Sequence, residues 1–130
     1  MGVRRYQDLI AWQMAEGFKS EVFRIVLASP RACADLRYKD QLFAAAASAS
    51  ANIAEGFVRH SPGDFRRFLR ISLGSLVETE GRLRDGIALS YFTDGDCELA
   101  FQYGRRCTVA STRLAKSQLA FIKPSRSPRT

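Results

Sequence analysis

The chain has one histidine, three cysteines without a CxxC spacing, and no apolar run near the roughly 20 residues that a membrane span needs. Each shortage excludes something. A lone His60 cannot form a histidine metal pair, and no HExxH or DxD cluster is present, so no metal is expected. Cys33, Cys97 and Cys107 are odd in number and argue against a disulfide framework. Cys107 falls in an apolar helical stripe and reads as a small core residue. No GxSxG, P-loop or GxGxxG occurs, so nucleophile elbows and nucleotide cradles lack support, and no catalytic residue or cofactor is expected. No segment alternates as a strand does. The opening MGVRRYQDLIAW has neither the apolar stretch nor the cleavage site of a signal peptide. Gly2 follows Met1, but Tyr6 stands where a myristoylation signal has Ser or Thr. A cytoplasmic protein with no membrane partner is the expectation.

What is present is helical. Hydrophobic residues make up 46% and charged residues 25% of 130, enough for one buried core. Four segments carry a period of three to four. The first runs from about Asp8, a candidate N-cap, to Ala28, with Ile10, Met14, Phe18, Val22 and Ile25 on one face. Ser29-Pro30 ends it. The second runs from about Asp35 to Phe57, along Tyr38, Leu42, Ala46, Ala49, Ile53 and Phe57. Its centre, 44–51, is all Ala and Ser, which favours helix and lets a neighbour come close. Gly56 marks a break or a cap. Ser61-Pro62-Gly63-Asp64 supplies an N-cap serine, proline at the first helical position and an acid at the third. That third helix runs to about Tyr91 through Phe65, Leu69, Ser72, Leu76, Leu83 and Ile87. The fourth follows Thr93-Asp94-Gly95-Asp96 and carries Tyr103, Cys107, Ala110, Leu114, Ser117 and Phe121. The pattern predicts an all-α antiparallel up-and-down four-helix bundle over residues 1–122. Residues 123–130, with two prolines and no large apolar side chain, read as a disordered basic arm.

Apolar residues remain over. Trp12 and Phe23 fall far around the first helix from its Ile10–Phe18 face, and Phe43 and Phe68 lie at the edges of their stripes. Aromatic residues of this kind suit a subunit interface; the alternative is that they fold onto the flanks of their own bundle. Glu80 sits in the apolar arc between Leu76 and Leu83, and with Asn52 and Glu55 it suggests a polar network that sets helix register. The pairs Glu78–Arg82 and Glu80–Arg84 are ordinary i,i+4 helix pairs.

The net charge is +7. Arginine dominates the bases and suits phosphate. Arg66, Arg67 and Arg70 gather in the first turns of the third helix, and Arg105, Arg106, Arg113 and Lys116 dot the fourth. Arg4, Arg5 and the tail's Lys123, Arg126 and Arg129 add charge at both ends. The pattern suits a phosphate-binding footprint for RNA or DNA without any base-reading motif; the alternative is a set of solvated helix faces.

The series Asp8-Leu9-Ile10-Ala11-Trp12-Gln13, then Ala51-Asn52-Ile53-Ala54-Glu55-Gly56, then Gly74-Ser75-Leu76 with Glu78 and Glu80, resembles the bacterial four helix bundle protein family, also called the 23S rRNA intervening-sequence protein family. Gln41-Leu42, Phe65, Phe68-Leu69 and Ile71 extend the likeness, which runs from Tyr6 to about Phe121. The resemblance implies a bundle that assembles as a ring, typically a homopentamer. Some relatives are encoded inside intervening sequences of 23S rRNA genes, and a related accessory protein of diversity-generating retroelements binds nucleic acid and a reverse transcriptase. It implies no catalytic residues. Where the family commonly has proline before its (A/S)N motif, this chain has Ser50, and a kink there is absent or milder. The expectation is a ring-forming bundle that binds structured RNA electrostatically. A scaffold for a nucleic-acid enzyme is the second reading, and an enzyme built on Glu80, Asn52 and Glu55 the weakest.

Overall fold

A computed structural model describes residues 2–122, so the arm at 123–130 lies outside the described residues. Its helices are α1 (Ile10–Leu27), α2 (Pro30–Ala34), α3 (Leu36–Val58), α4 (Pro62–Ala88) and α5 (Asp94–Gln118). Single 3₁₀ turns at Tyr6–Asp8 and Leu119–Phe121 flank them, and no strand occurs among the described residues.

The four long helices pack in the cyclic order α1, α3, α4, α5, with α5 returning to α1. Contacts fix their directions. Cys107 Sγ lies 3.3 Å from the Ala11 carbonyl, while Tyr103 packs on Gly17, so α5 descends as α1 rises. Ser72 Oγ donates to the Ala49 carbonyl at 2.7 Å and Tyr38 Oη to that of Arg82 at 2.6 Å, so α3 and α4 are also antiparallel. Buried Ala45, Ala46, Ala49 and Ser50 allow this approach: their short side chains let a hydroxyl of one helix reach the backbone of the next. Phe18, Leu42, Ile53, Leu69 and Leu83 fill the centre, each at most 1% exposed.

Three of the expected helix starts stand, each with its side-chain cap. Asp35 accepts from Tyr38 N, Ser61 from Asp64 N, and Thr93 forms a reciprocal capping box with Asp96. The fourth differs. Asp8 is not an N-cap: it lies in the 3₁₀ turn and pairs with Arg5, because Leu9 is buried and α1 begins one residue later. Ser29-Pro30 ends α1 and also starts α2, which the periodicity missed because five residues are too few to show a period. Gly56 neither breaks nor caps α3. It lies where a Cβ would press into Phe65 and Phe68 of α4, so its missing side chain lets two helices close together. The third predicted helix stops at Ala88, short of Tyr91, with Ser90 at φ +60.

The α3 N-terminus also carries a titratable latch. Asp35 accepts a 2.6 Å hydrogen bond from Tyr91 Oη besides capping α3, and these bonds hold its carboxyl below the usual carboxylate range. A depressed folded value means that the stabilisation is complete above the unfolded value of about 3.9 and fades as pH drops through the folded one. Asp96, bonded to Thr93, acts in the same direction. Urea midpoints are therefore expected to fall from about pH 5 downward. Asp35→Asn, whose amide oxygen still caps the helix, should flatten that acid limb; an unchanged limb would remove the latch.

Candidate nucleic-acid interface

Charge is divided along the bundle axis. The end formed by the α3–α4 junction and the close of α5 holds Arg59, Arg66, Arg67, Arg70, Arg113 and Lys116 against Glu55 and Asp64. Arg4 and Arg5 join it through the turn before α1. The opposite end carries Asp35, Asp40, Asp85, Asp94, Asp96 and Glu98 beside Arg31, Arg37, Lys39, Arg82 and Arg84, so the surplus of bases is at the first end. Each helix places its own share, so antiparallel packing gathers bases far apart in sequence.

Pairing divides the arginines further. Arg24, Arg59, Arg82 and Arg84 sit within 3.2 Å of Glu21, Glu55, Glu78 and Glu80, one turn away. Arg67 is 3.9 Å from Asp64. Among the described residues no ion pair engages Arg66, Arg70, Arg105, Arg106, Arg113 or Lys116. No carboxylate competes for them, which leaves them free for a phosphate, as it does Arg4, Arg31, Arg37 and Lys39.

The structure brings the predicted bases together as two groups. Arg66, Arg67 and Arg70 line a groove with Gly63, Ile71 and Ile122, beside the amino end of α4, whose dipole favours an anion. Arg66 Nε is shielded from solvent there without a hydrogen-bond partner. Arg105, Arg106 and Arg113 rim a second groove between α1 and α5, of about 420 Å³, floored by Ile10, Met14, Val109 and Ala110. Lys116 is exposed one turn beyond Arg113. Ile10 belongs to this floor and not to the core: it is 61% exposed, and Ala11 and Ala15 take its place inside. In α5 the buried stripe is Cys97, Ala100, Cys107, Ser111 and Ala115, one position round from the expected one, and Phe121 is 68% exposed.

Of the residues expected to form a polar network, only Asn52 takes part in one. Glu80 is exposed and paired with Arg84 at 2.9 Å, and Glu55 is exposed and paired with Arg59. Asn52 donates to Ser48, whose hydroxyl also accepts from Ser75 Oγ of α4 at 2.8 Å, so the link between α3 and α4 is made of neutral groups. The inward position is Thr79, whose hydroxyl donates to the Ser75 carbonyl at 2.6 Å and needs no charged partner. Sequence reasoning misplaced this site by one residue of helix rotation.

The four aromatics are half-buried on their own bundle. Trp12 meets Tyr6 edge-on with centroids 5.3 Å apart, and Phe23 packs on Phe43 at 4.4 Å. Phe68 lies over Gly56, beneath the guanidiniums of Arg59 and Arg67. Arg59 was missed as a functional candidate; its one signal is its position a turn after Gly56.

Little here suits acid–base or nucleophilic chemistry. Burial pushes the Cys97 and Cys107 thiols up to about 11, away from thiolate reactivity. No group of three or more metal-ligating side chains gathers among the described residues, and no helix there is long and apolar enough to cross a membrane.

An all-helical bundle with a basic surplus at one end and two arginine-rimmed grooves defines a class: small, basic, helical proteins. Within that class the comparison is specific. The 23S rRNA-intervening sequence protein family matches residues 7–103, and the chain belongs to that family. No curated protein matches it.

Proposed function

We propose that this protein is a non-catalytic, ring-forming bundle of the cytoplasm that binds nucleic acid electrostatically, with structured RNA such as rRNA as the ligand. One observation carries the reading: Arg66 and Arg70, with no carboxylate partner among the described residues, stand one turn apart beside a helix amino end. Contacts of this kind engage phosphates and not base edges, so binding is largely independent of sequence. Assembly into a homo-oligomer, a pentamer by resemblance to the family, would repeat the patch around a ring and multiply weak contacts.

Titration of a structured RNA against salt tests it. Affinity is expected to fall steeply, with a log–log slope near −0.9 for each phosphate engaged on a duplex. Light scattering on the same sample reads the subunit number. A flat salt response, or no binding to any RNA or DNA, sinks the nucleic-acid reading; a monomer sinks the ring.

The α1–α5 groove favours a second reading. Its floor of Ile10, Met14, Val109 and Ala110 with a rim of three arginines matches an acidic amphipathic helix of a partner, such as a polymerase or reverse transcriptase. A partner that stays bound after nuclease treatment would support that scaffold role.

A further inference from the structure

The arginines at the start of α4 are of two kinds, and the difference is chemical. Arg66 and Arg70 lack a carboxylate partner among the described residues, whereas Arg59 and Arg67 are held by Glu55 at 3.1 Å and Asp64 at 3.9 Å. The paired ones share a second feature. Their guanidinium carbons lie 4.9 and 4.6 Å from the centroid of the Phe68 ring. Phe68 is in turn seated on Gly56, where any other side chain would push it outward. Arg59 is thus held by a hydrogen-bonded carboxylate and by the phenyl ring, and Arg67 by the same ring with Asp64 at a longer distance. Fixing in this way removes rotamer freedom before any ligand arrives. Both side chains remain open to solvent, at 44% and 58% exposure.

A neutralised arginine is a poor phosphate ligand, because the phosphate must displace a carboxylate. Its flat face is a good surface for a nucleobase, which stacks on guanidinium planes as it does on aromatic rings. We infer that the α3–α4 junction is a stacking platform for unpaired bases of a single-stranded segment, such as an RNA loop. Arg59 and Arg67 over Phe68 take the bases, and Arg66 and Arg70 take the phosphates beside them. This rests on the nucleic-acid reading above and narrows its ligand to strands with exposed bases.

The molecule carries its own control. Arg84 lies 4.6 Å from the Phe101 centroid and is paired with Glu80 at 2.9 Å, the same arrangement of carboxylate, guanidinium and ring. That stack borders a groove lined by Asp94 and Glu98 as well as Arg105. Glu80, Asp94 and Glu98 there outnumber Arg84 and Arg105, whereas at the α3–α4 junction Arg59, Arg66, Arg67 and Arg70 outnumber Glu55 and Asp64, so the second stack receives no base.

Fluorescence anisotropy with three labelled RNAs of equal length tests the platform: a base-bearing single strand, an abasic strand and a duplex. Stacking is worth about 1–3 kcal/mol per base, so the base-bearing strand should bind about 5- to 150-fold more tightly than the abasic one. Phe68→Leu, which keeps an apolar side chain over Gly56, should abolish that preference. The charge-neutral pair Arg59→Gln with Glu55→Gln should do the same, and Phe101→Leu should not. Circular dichroism confirms that each variant is folded. Equal affinity for abasic and base-bearing strands, tighter binding of the duplex, or a preference that survives Phe68→Leu would overturn the platform while leaving electrostatic binding intact. Failure to bind any of the three RNAs would remove the function beneath it as well.

Discussion

Phe18→Ala is expected to lower stability by about 3–5 kcal/mol, a large share of the roughly 5–15 kcal/mol that holds a domain folded. The ring is 1% exposed and sits against Gly104 of α5, so its loss opens a cavity at the α1–α5 contact. The neighbours cannot easily close that cavity. Val22 and Val26 are themselves fully buried, and the α1–α5 spacing is set by Cys107 on Ala11 and Tyr103 on Gly17. The melting temperature should fall by roughly 10–25 °C for a chain of this length. Trp12→Ala provides the comparison, since Trp12 is only half-buried and leans on Tyr6. It should cost clearly less in thermal melts, and a Trp12 loss equal to that of Phe18 would mean that the core has been placed wrongly.

Reversing Arg66 and Arg70 to Glu is expected to reduce RNA affinity by about two orders of magnitude at low salt. Two cations without carboxylate partners are lost, and two anions are left at the positive end of α4. Each phosphate contact removed should shrink the salt slope by about 0.9. Arg70 is exposed and Arg66 half-buried, and neither is among the buried Phe65, Leu69 and Ser72, so the fold should persist, which circular dichroism checks. The same reversal at Arg82 and Arg84, already neutralised by Glu78 and Glu80, should do much less. If the two double variants lose equal affinity, binding follows net charge and has no location.

The bundle was legible because its signals are local. Ser61-Pro62 and Thr93 announce helix starts through bonds to backbone two or three residues away, and Leu42, Ile53, Leu69 and Leu83 repeat on one face whatever they meet. The site was legible only in part. Arg66 and Arg70 were visible as a cluster with Arg67, whose i,i+3 spacing from Asp64 was the one sequence signal that sets it apart. Glu80 and Thr79 were exchanged because a stripe about 100° wide cannot be phased to one residue. Ile10 and Ala11 were exchanged for the same reason.

By itself the sequence determined the helical class, three of the capped starts, the basic surplus and the family motifs, since each depends on neighbours within a turn or on composition. Tertiary structure alone decided that Phe68 rests on Gly56 beneath Arg59, that Ile10 faces outward, and that Arg66 and Arg70 share an end with Arg113 and Lys116. Those facts depend on the rotation and register of one helix against another. Packing of the whole bundle sets both, and no single segment carries that information.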